Sequence, residues 1–337
     1  MYLTLLALDG RKKGKVIVPD IACPTVANVC LFAGYTPVFC DVEPATACMA
    51  PAALERLLGN ISDVVAVILI HLYGQPADIR VIEDIAKRHN VPVLEDVAQA
   101  IGARLDGCPL GSFGHASFLS FGHTKILDLG GGGAVLTDDT DLYERIHAIL
   151  PSLPAYSNGL QRLGQLYRSV YYSLMEFAEE DERLNALFLG MPEGFRDLYL
   201  FQLDAGQAKC VEAGLEQLSA AVEDRCRKAA LYDQLLAGAD VTPLKRHETG
   251  APWRYSLLLP EGEQKRITEL LRERGIDASN WYPPLHQWYA SGRDQDPQTL
   301  QNAMIIGRRV LNLWVTSEFT VEMIEFTCRE LRQLVDR

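Results

Sequence analysis

Hydrophobic and polar positions change period several times along this chain, and each change marks an element. Residues 15–19, KVIVP, are a short apolar run that predicts a strand, and 24–34, PTVANVCLFAG, predict a helix closed by Gly34. A strand is expected at 37–42 and a helix at 50–60, with Pro51 in its first turn. The run DVVAVILIHLYG at 63–74 is apolar throughout, as befits a strand buried on both faces. In 78–90, Ile79, Ile82, Ile85 and Ala86 recur at helical spacing, with Asp78 placed as the N-cap. Residues 91–96, VPVLED, and GAVLTDD at 133–139 read as further strands. Before all of these, MYLTLLALDG reads as a helix already under way at Met1, with Leu3, Leu5, Leu6 and Leu8 as its sheet-facing side.

Strand–helix alternation at this pace predicts an α/β fold in three layers, a mostly parallel sheet covered by helices. Ligands of such sheets sit at the carboxyl ends of the strands. Beyond residue 141 the pattern loosens. An amphipathic, aromatic-rich helix is expected over 160–184, and one long helix over 203–238 bridging two lobes. A strand at 253–260, a helix at 263–275 ending in Gly275, and a helical last 40 residues predict a smaller α+β lobe. The domain division is therefore set at 1–235 and 236–337.

Composition narrows the function. The 337 residues are 48% hydrophobic and 23% charged, with a formal net charge of −12. That balance argues against a general binder of nucleic acid or anionic membranes, and no apolar run reaches the ~20 residues of a membrane span. The first residues make a poor secretory signal, because the apolar part precedes the basic part. Eight scattered cysteines form no CxxC pair and no zinc spacing, so no metal is expected and a reducing cytoplasm is.

The candidate chemistry lies in FLSFGHTKILDLGGGGAVLTDD, residues 118–139. A nucleotide-triphosphatase phosphate loop needs its glycines before the lysine and a helix after it, and here both orders are reversed. A dinucleotide fingerprint is missing as well. Upstream, Glu95 and Asp96 end a buried strand as neighbours, so they point to opposite faces and cannot act as a carboxylate pair. One acid and one lysine in a common crevice suit pyridoxal phosphate, whose aldehyde joins a lysine amine and whose ring nitrogen pairs with a carboxylate.

Taken together, KVIVP…PTVANVCLFAGYTPVFCDV, ILIHLYGQPADI, VPVLEDVAQAIGARLDGCPLGSFGHASFLSFGHTKIL…GGGGAVLTDD and YPPLHQ resemble the DegT-type sugar aminotransferases. The likeness is dense from Lys15 to Asp139, thins over 141–195, and returns in FRDLYLFQLDAGQAK and the small lobe. It implies the fold-type I fold of pyridoxal phosphate enzymes. It implies Lys125 as the Schiff-base lysine, Asp96 at the pyridinium, Gln99 beside the phenolic oxygen and Ser120 on the phosphate. Cys23 falls where the family often has an aromatic near the cofactor, and His123, Tyr282 and His286 fall near the substrate. The family acts as homodimers with shared sites, transferring the amino group of glutamate to keto sugar nucleotides for polysaccharides or secondary-metabolite sugars.

The likeness has departures. The family's serine-glycine-threonine turn before the first strand has no counterpart here, Gly194 stands where a partner-chain asparagine commonly meets the phosphate, and Gly131 replaces an acid. The expectation is either a reading frame that begins upstream or a weaker grip on the phosphate. Two alternatives follow: a sugar dehydratase, whose histidine in place of the lysine is not found here, and a catalytically impaired paralogue with a binding or regulatory role.

Overall fold

A computed structural model describes residues 1–8, 14–177, 181–203 and 205–336. The first half alternates as its sequence predicts. α1 (Tyr2–Ala7), β1 (Lys15–Pro19), α2 (Pro24–Phe32), β2 (Thr36–Cys40), α3 (Pro51–Asn60), β3 (Val64–Ile70), α4 (Ile79–Arg88) and β4 (Val93–Asp96) follow in order. After a two-residue hairpin, β5 (Arg104–Leu105) and β6 (Cys108–Pro109), come β7 (Ala116–Ser120) and β8 (Gly133–Leu136). Six strands make one sheet in the order β2-β1-β3-β4-β7-β8, parallel except for β8, which runs antiparallel to β7. β3 is buried along its last five residues, as its unbroken apolar run requires.

α4 buries Ile79, Ile82, Ile85 and Ala86, the residues its spacing selects. Asp78 stands at its N-cap but makes no side-chain capping bond. α1 departs from expectation: Thr4, Leu5 and Ala7 are buried, whereas Leu6 is 39% exposed. Successive helical residues turn by about 100°, so Leu5 and Leu6 cannot face the sheet together.

The second half holds α5 (Thr140–Ile149), α6 (Asn158–Phe177), α7 (Glu182–Gly194) and α8 (Ala205–Leu235). The helix expected over 160–184 is thus two helices, with 178–180 outside the described residues. β9 (Thr242–Pro243), β10 (Tyr255–Leu258), α9 (Gln264–Glu273), α10 (Ala290–Arg293), α11 (Gln301–Gly307), β11 (Val310–Leu313) and α12 (Val321–Val335) complete the chain. β9, β10 and β11 form a separate antiparallel sheet. β11 was expected to be helical. Four apolar-rich residues cannot set a period by themselves, and pairing with β10 decides their state.

Packing places the lobe boundary differently from the sequence reading. The end of α8 (Ala229, Tyr232, Leu236) joins the small-lobe core with Tyr255, Ile267 and Leu331. Conversely, Tyr282, Leu285, Trp288, Tyr289, Leu300 and Ile306 pack in the core of the large sheet. Residues 282–306 therefore return to the large lobe although they follow the small lobe in sequence. One clasp for this return is His286, whose backbone N–H and ring Nδ1 meet the two carboxylate oxygens of Asp20 at 2.7 and 2.5 Å. Asp20 lies directly after β1 and is fully buried.

Glu95 organises the loop after β6. Its carboxylate accepts the backbone N–H groups of Gly111, Phe113 and Gly114 at 2.9, 2.7 and 2.6 Å, and lies 3.0 Å from His71 Nε2. His71 Nδ1 accepts the Ala77 N–H, so the ring proton sits on Nε2 and is donated to Glu95. Burial alone would raise the Glu95 carboxyl, but the His71 bond and the loop N–H groups outweigh it and hold the group below its ordinary 4.5. A depressed folded pKa contributes stability above the unfolded value, and that contribution is lost as pH falls through the folded pKa. Glu95→Gln should therefore cost about 1–3 kcal/mol at neutral pH. Melting curves from pH 7 to 3 should show the gap between wild type and variant narrowing below pH 4.5; a constant gap would rule out this role for the charge.

Candidate active site

The carboxyl ends of β1, β3, β4 and β7 bring the candidate residues to one edge of the large sheet. Asp96 is the last residue of β4 and Ser120 the last of β7. Cys23 is the N-cap of α2, just beyond β1, and Lys125 lies in the loop after β7. This is where a parallel sheet offers its crevice.

Lys125 points its amine inward while the residue as a whole keeps partial exposure. Burial lowers the pKa of that amine; the charges of Cys23 and Asp96 oppose the shift and Arg254 adds to it. Asp96 is buried, which raises its carboxyl above the ordinary 3.8, against the Ala98 N–H and the nearby Lys125. The Ala98 N–H reaches its Oδ1 at 2.8 Å, and the second oxygen accepts no hydrogen bond from the described residues. Lys125 and Asp96 thus share one buried site and each feels the other's charge.

The lysine loop is held on every side. Thr124 adopts φ +70°, and its N–H is donated to Asp128 Oδ2 at 2.7 Å. The indole Nε1–H of Trp253, from the small-lobe side, reaches the Thr124 carbonyl at 2.9 Å, and Lys125 Nζ stands 5.8 Å from the centre of that ring. The glycine run now has a reason. Gly130 and Gly132 adopt positive φ, and a Cβ on Gly133 would stand 2.4 Å from the Leu119 carbonyl oxygen. The run lets the chain double back into β8 against the lysine loop.

Gln99 is engaged at both ends of its amide. Oε1 accepts the Tyr73 N–H at 2.7 Å and Nε2 donates to the Tyr282 hydroxyl at 2.8 Å. Tyr73, Tyr282 and Trp253 lie with their rings within 11° of parallel and their centroids 6.2–6.4 Å apart. Tyr282 is therefore in the site's wall. Ser120 Oγ is half-buried and accepts the Gly122 N–H at 3.3 Å. Cys23 is half-buried, and its thiol donates to the Thr25 hydroxyl at 3.4 Å. His123 is 69% exposed, 3.3 Å from Asp128, and His286 is turned onto Asp20.

Several site residues carried no sequence signal of their role. Tyr73 falls inside HLYGQPADI, Trp253 and Arg254 open a segment read only as a strand, and Asp20 follows β1 without a motif. An arginine inside a buried-strand sequence, the second residue of WRYSLLLP, is the one signal available, because arginine is seldom buried without a polar partner to meet.

Residues 1–332 match the DegT/DnrJ/EryC1/StrS aminotransferase family. The chain is similar to the L-glutamine:2-deoxy-scyllo-inosose aminotransferase of Streptomyces paromomycinus, 31% identical over 303 residues, 88% of this chain and 66% of that protein. It is 30% identical over 292 residues to the UDP-N-acetyl-3-dehydro-alpha-D-glucosamine 3-aminotransferase of Acidithiobacillus ferrooxidans, covering 85% of this chain and 69% of that one. Against the first three inosose aminotransferases the match spans 60% to 66% of their length. Among solved structures, a DegT DnrJ EryC1 StrS aminotransferase from Brucella abortus aligns with all of this chain and 83% of its own, at TM-score 0.77 and 22% identity.

The geometry makes Trp253 the tie between the small lobe and the lysine loop. Trp253→Phe keeps a ring in the stack but loses the bond to the Thr124 carbonyl, a loss of about 0.5–1.5 kcal/mol. Limited proteolysis should then cut faster within residues 122–130 than in wild type. Equal cutting rates would mean that the loop is held without this bond.

Proposed function

The chain belongs to the DegT/DnrJ/EryC1/StrS aminotransferase family, and we propose that it is a pyridoxal-phosphate-dependent aminotransferase that moves the amino group of glutamate to the ring ketone of a nucleotide-bound sugar. The observation that carries this reading is the meeting of Lys125 and Asp96 in one buried site at the carboxyl edge of the sheet. The donor set fits the cofactor: a buried carboxylate with one oxygen left over, an amine in its field, and the Ser120 hydroxyl on the neighbouring strand. Asp96 would hold the ring nitrogen, Lys125 the aldehyde carbon and Ser120 a phosphate oxygen, with Gln99 and Cys23 beside the ring. When bound, the cofactor supplies an aldehyde that exchanges with amines and a ring that draws electrons from the carbon attached to that nitrogen.

Lys125 Nζ does the proton work. A neutral amine accepts a proton from the substrate carbon and delivers one to a second carbon, whereas an ammonium has no lone pair to do so. Burial supports that role by lowering the lysine pKa. Asp96 is kept from water, so its charge acts at full strength on a cationic partner, and such a partner would offset the cost of its burial. Trp253 and Asp128 keep the loop, and with it the amine, in place. Tyr282 lines the site as a proposed substrate neighbour; His123, in the lysine loop, and His286, turned onto Asp20, are further candidates.

The inosose aminotransferases support a second choice of substrates, glutamine as donor and a keto cyclitol as acceptor. Both choices pair an α-amino acid with a ring ketone, in sugar biosynthesis for polysaccharides or secondary metabolites. Lys125 speaks against the dehydratase reading, and its pairing with Asp96 speaks against an impaired paralogue. A cytoplasmic setting fits the eight free cysteines, and among the described residues no helix is long and apolar enough to cross a membrane. A homodimer is supported by α6, where Leu163, Leu166, Val170 and Phe177 form an exposed apolar stripe at three-, four- and seven-residue steps.

Lys125→Ala should abolish amino transfer, and Asp96→Asn should slow the half-reaction with glutamate by about 100-fold or more while the melting temperature changes little. Wild-type turnover in either variant would sink the assignment. Because the lysine pKa is lowered, the neutral amine persists to lower pH than in a free lysine. The rate should fall on acidification with a midpoint below the ordinary 10.5. For the assembly, sedimentation equilibrium should show a dimer that the double variant Leu166→Glu, Val170→Glu converts to monomer; an unchanged mass would place the interface elsewhere.

A further inference from the structure

Among the described residues, two arginines are buried around the Trp253 carbonyl without an acid to meet them. Arg254 is 4% exposed and Arg225 6%. Both Nη1 groups donate to one carbonyl oxygen, that of Trp253, each at 3.0 Å. Arg225 also reaches the Pro252 carbonyl at 3.4 Å. Neither forms an ion pair with a carboxylate among the described residues; Glu318 acts on Arg225, and Asp277 on Arg254, only at longer range. Two like charges sharing one neutral acceptor in the interior is an arrangement that an anion would relieve.

Arg254 is the better placed of the two. Its guanidinium carbon lies 3.4 Å from the centre of the Trp314 ring and 4.3 Å from that of Trp253, so its plane is contacted by two indoles and its N–H edge is what remains for a ligand. The same Trp253 ring faces Lys125 Nζ, and the Arg254 charge is felt at that amine and at Tyr282. A narrow cleft is lined by Arg254 with Tyr73, Lys245, Arg246 and Ser256; Arg246 is paired with Asp233, which leaves Arg254 and Lys245 as the cations of its wall. Burial, then Arg225, pushes the Arg254 pKa down to about 9, which is the strain of leaving the charge uncompensated.

We propose that Arg254 is the binding group for a carboxylate of the amino donor, held edge-on between Trp253 and Trp314 beside the Lys125 amine. This inference rests on the aminotransferase reading for the identity of the ligand, since the carbon that gives up its amino group bears a carboxylate. A planar guanidinium edge matches a planar carboxylate with two parallel N–H···O bonds, which a lysine cannot reproduce. A phosphate oxygen of a nucleotide shares the negative charge, but it would sit farther from the reacting carbon than the donor's own carboxylate.

Calorimetric titration with glutarate, a dicarboxylate that lacks an amino group, tests this without turnover. Tryptophan fluorescence gives a second readout, because both indoles touch the guanidinium. Wild type should bind glutarate, and Arg254→Gln should bind it about 10- to 100-fold more weakly, the size of one charge-assisted contact. Arg254→Lys, which keeps the charge and loses the fork, should fall between the two and carries the comparison should Arg254→Gln not fold. Inorganic phosphate forms the second arm. Phosphate binding tighter than glutarate and equally dependent on Arg254 would overturn the carboxylate in favour of a phosphate. Glutarate affinity unchanged in the variants, or no binding by wild type, would overturn the site altogether. Lys125→Ala keeps the two readings apart: it should lose amino transfer yet retain glutarate binding. Arg254-dependent glutarate binding in a wild-type protein without amino transfer would remove the proposed reaction and leave this site standing.

Discussion

Two adjacent carboxylates at the end of one buried strand set the terms for the rest of this structure. Glu95 and Asp96 must face opposite sides of the sheet, and both are buried. Glu95 is satisfied outright, by His71 and three backbone N–H groups of the loop 111–114. Asp96 is not. One oxygen takes the Ala98 N–H, and the charge otherwise answers to Lys125 across the site. The first carboxylate stabilises the loop on one face; the second is left in need of a cation on the other. Structure and proposed chemistry are divided by one step of the strand.

The site is assembled from both lobes although its titratable centre belongs to the large one. Trp253, at the entry to β10, reaches across to the Thr124 carbonyl and lays its ring toward Lys125. Tyr282 comes back from beyond the small sheet to take the Gln99 amide and stack near Tyr73. The clasp of His286 on Asp20 secures that return. These contacts are short-range and directional, so they fix where the wall stands relative to the lysine. The same segment brings Arg254 into a pocket of indoles, where a cation without an acid is expensive unless a ligand shares it.

Much of this was legible beforehand. Short apolar runs, helical spacing and terminating glycine or proline located β1 to β4 and α2 to α4, and the chain encodes those locally. The strand-end position of Asp96 and the loop position of Lys125 were legible because parallel strands deliver their carboxyl ends to one edge. The helix expected over 160–184 divided in two, and β11 emerged from a stretch read as helix, since a four-residue strand has no period and exists only by pairing with β10. The boundary at residue 236 was likewise a matter of packing, with α8 giving its end to the small lobe and residues 282–306 returning to the large one.

By itself, then, the sequence determined the order of most elements, the parallel sheet and the family likeness, and it singled out Lys125 and Asp96 as candidates. These follow from periodicity and from residue chemistry at strand ends, which are properties of short segments. Tertiary structure alone decided that Gln99 is tied to two tyrosines, that Trp253 holds the lysine loop, that His286 is a clasp on Asp20, and that Arg254 lies buried without an acid among the described residues. Each of these joins residues more than a hundred positions apart, or depends on which neighbour fills a wall, and no local pattern records such meetings.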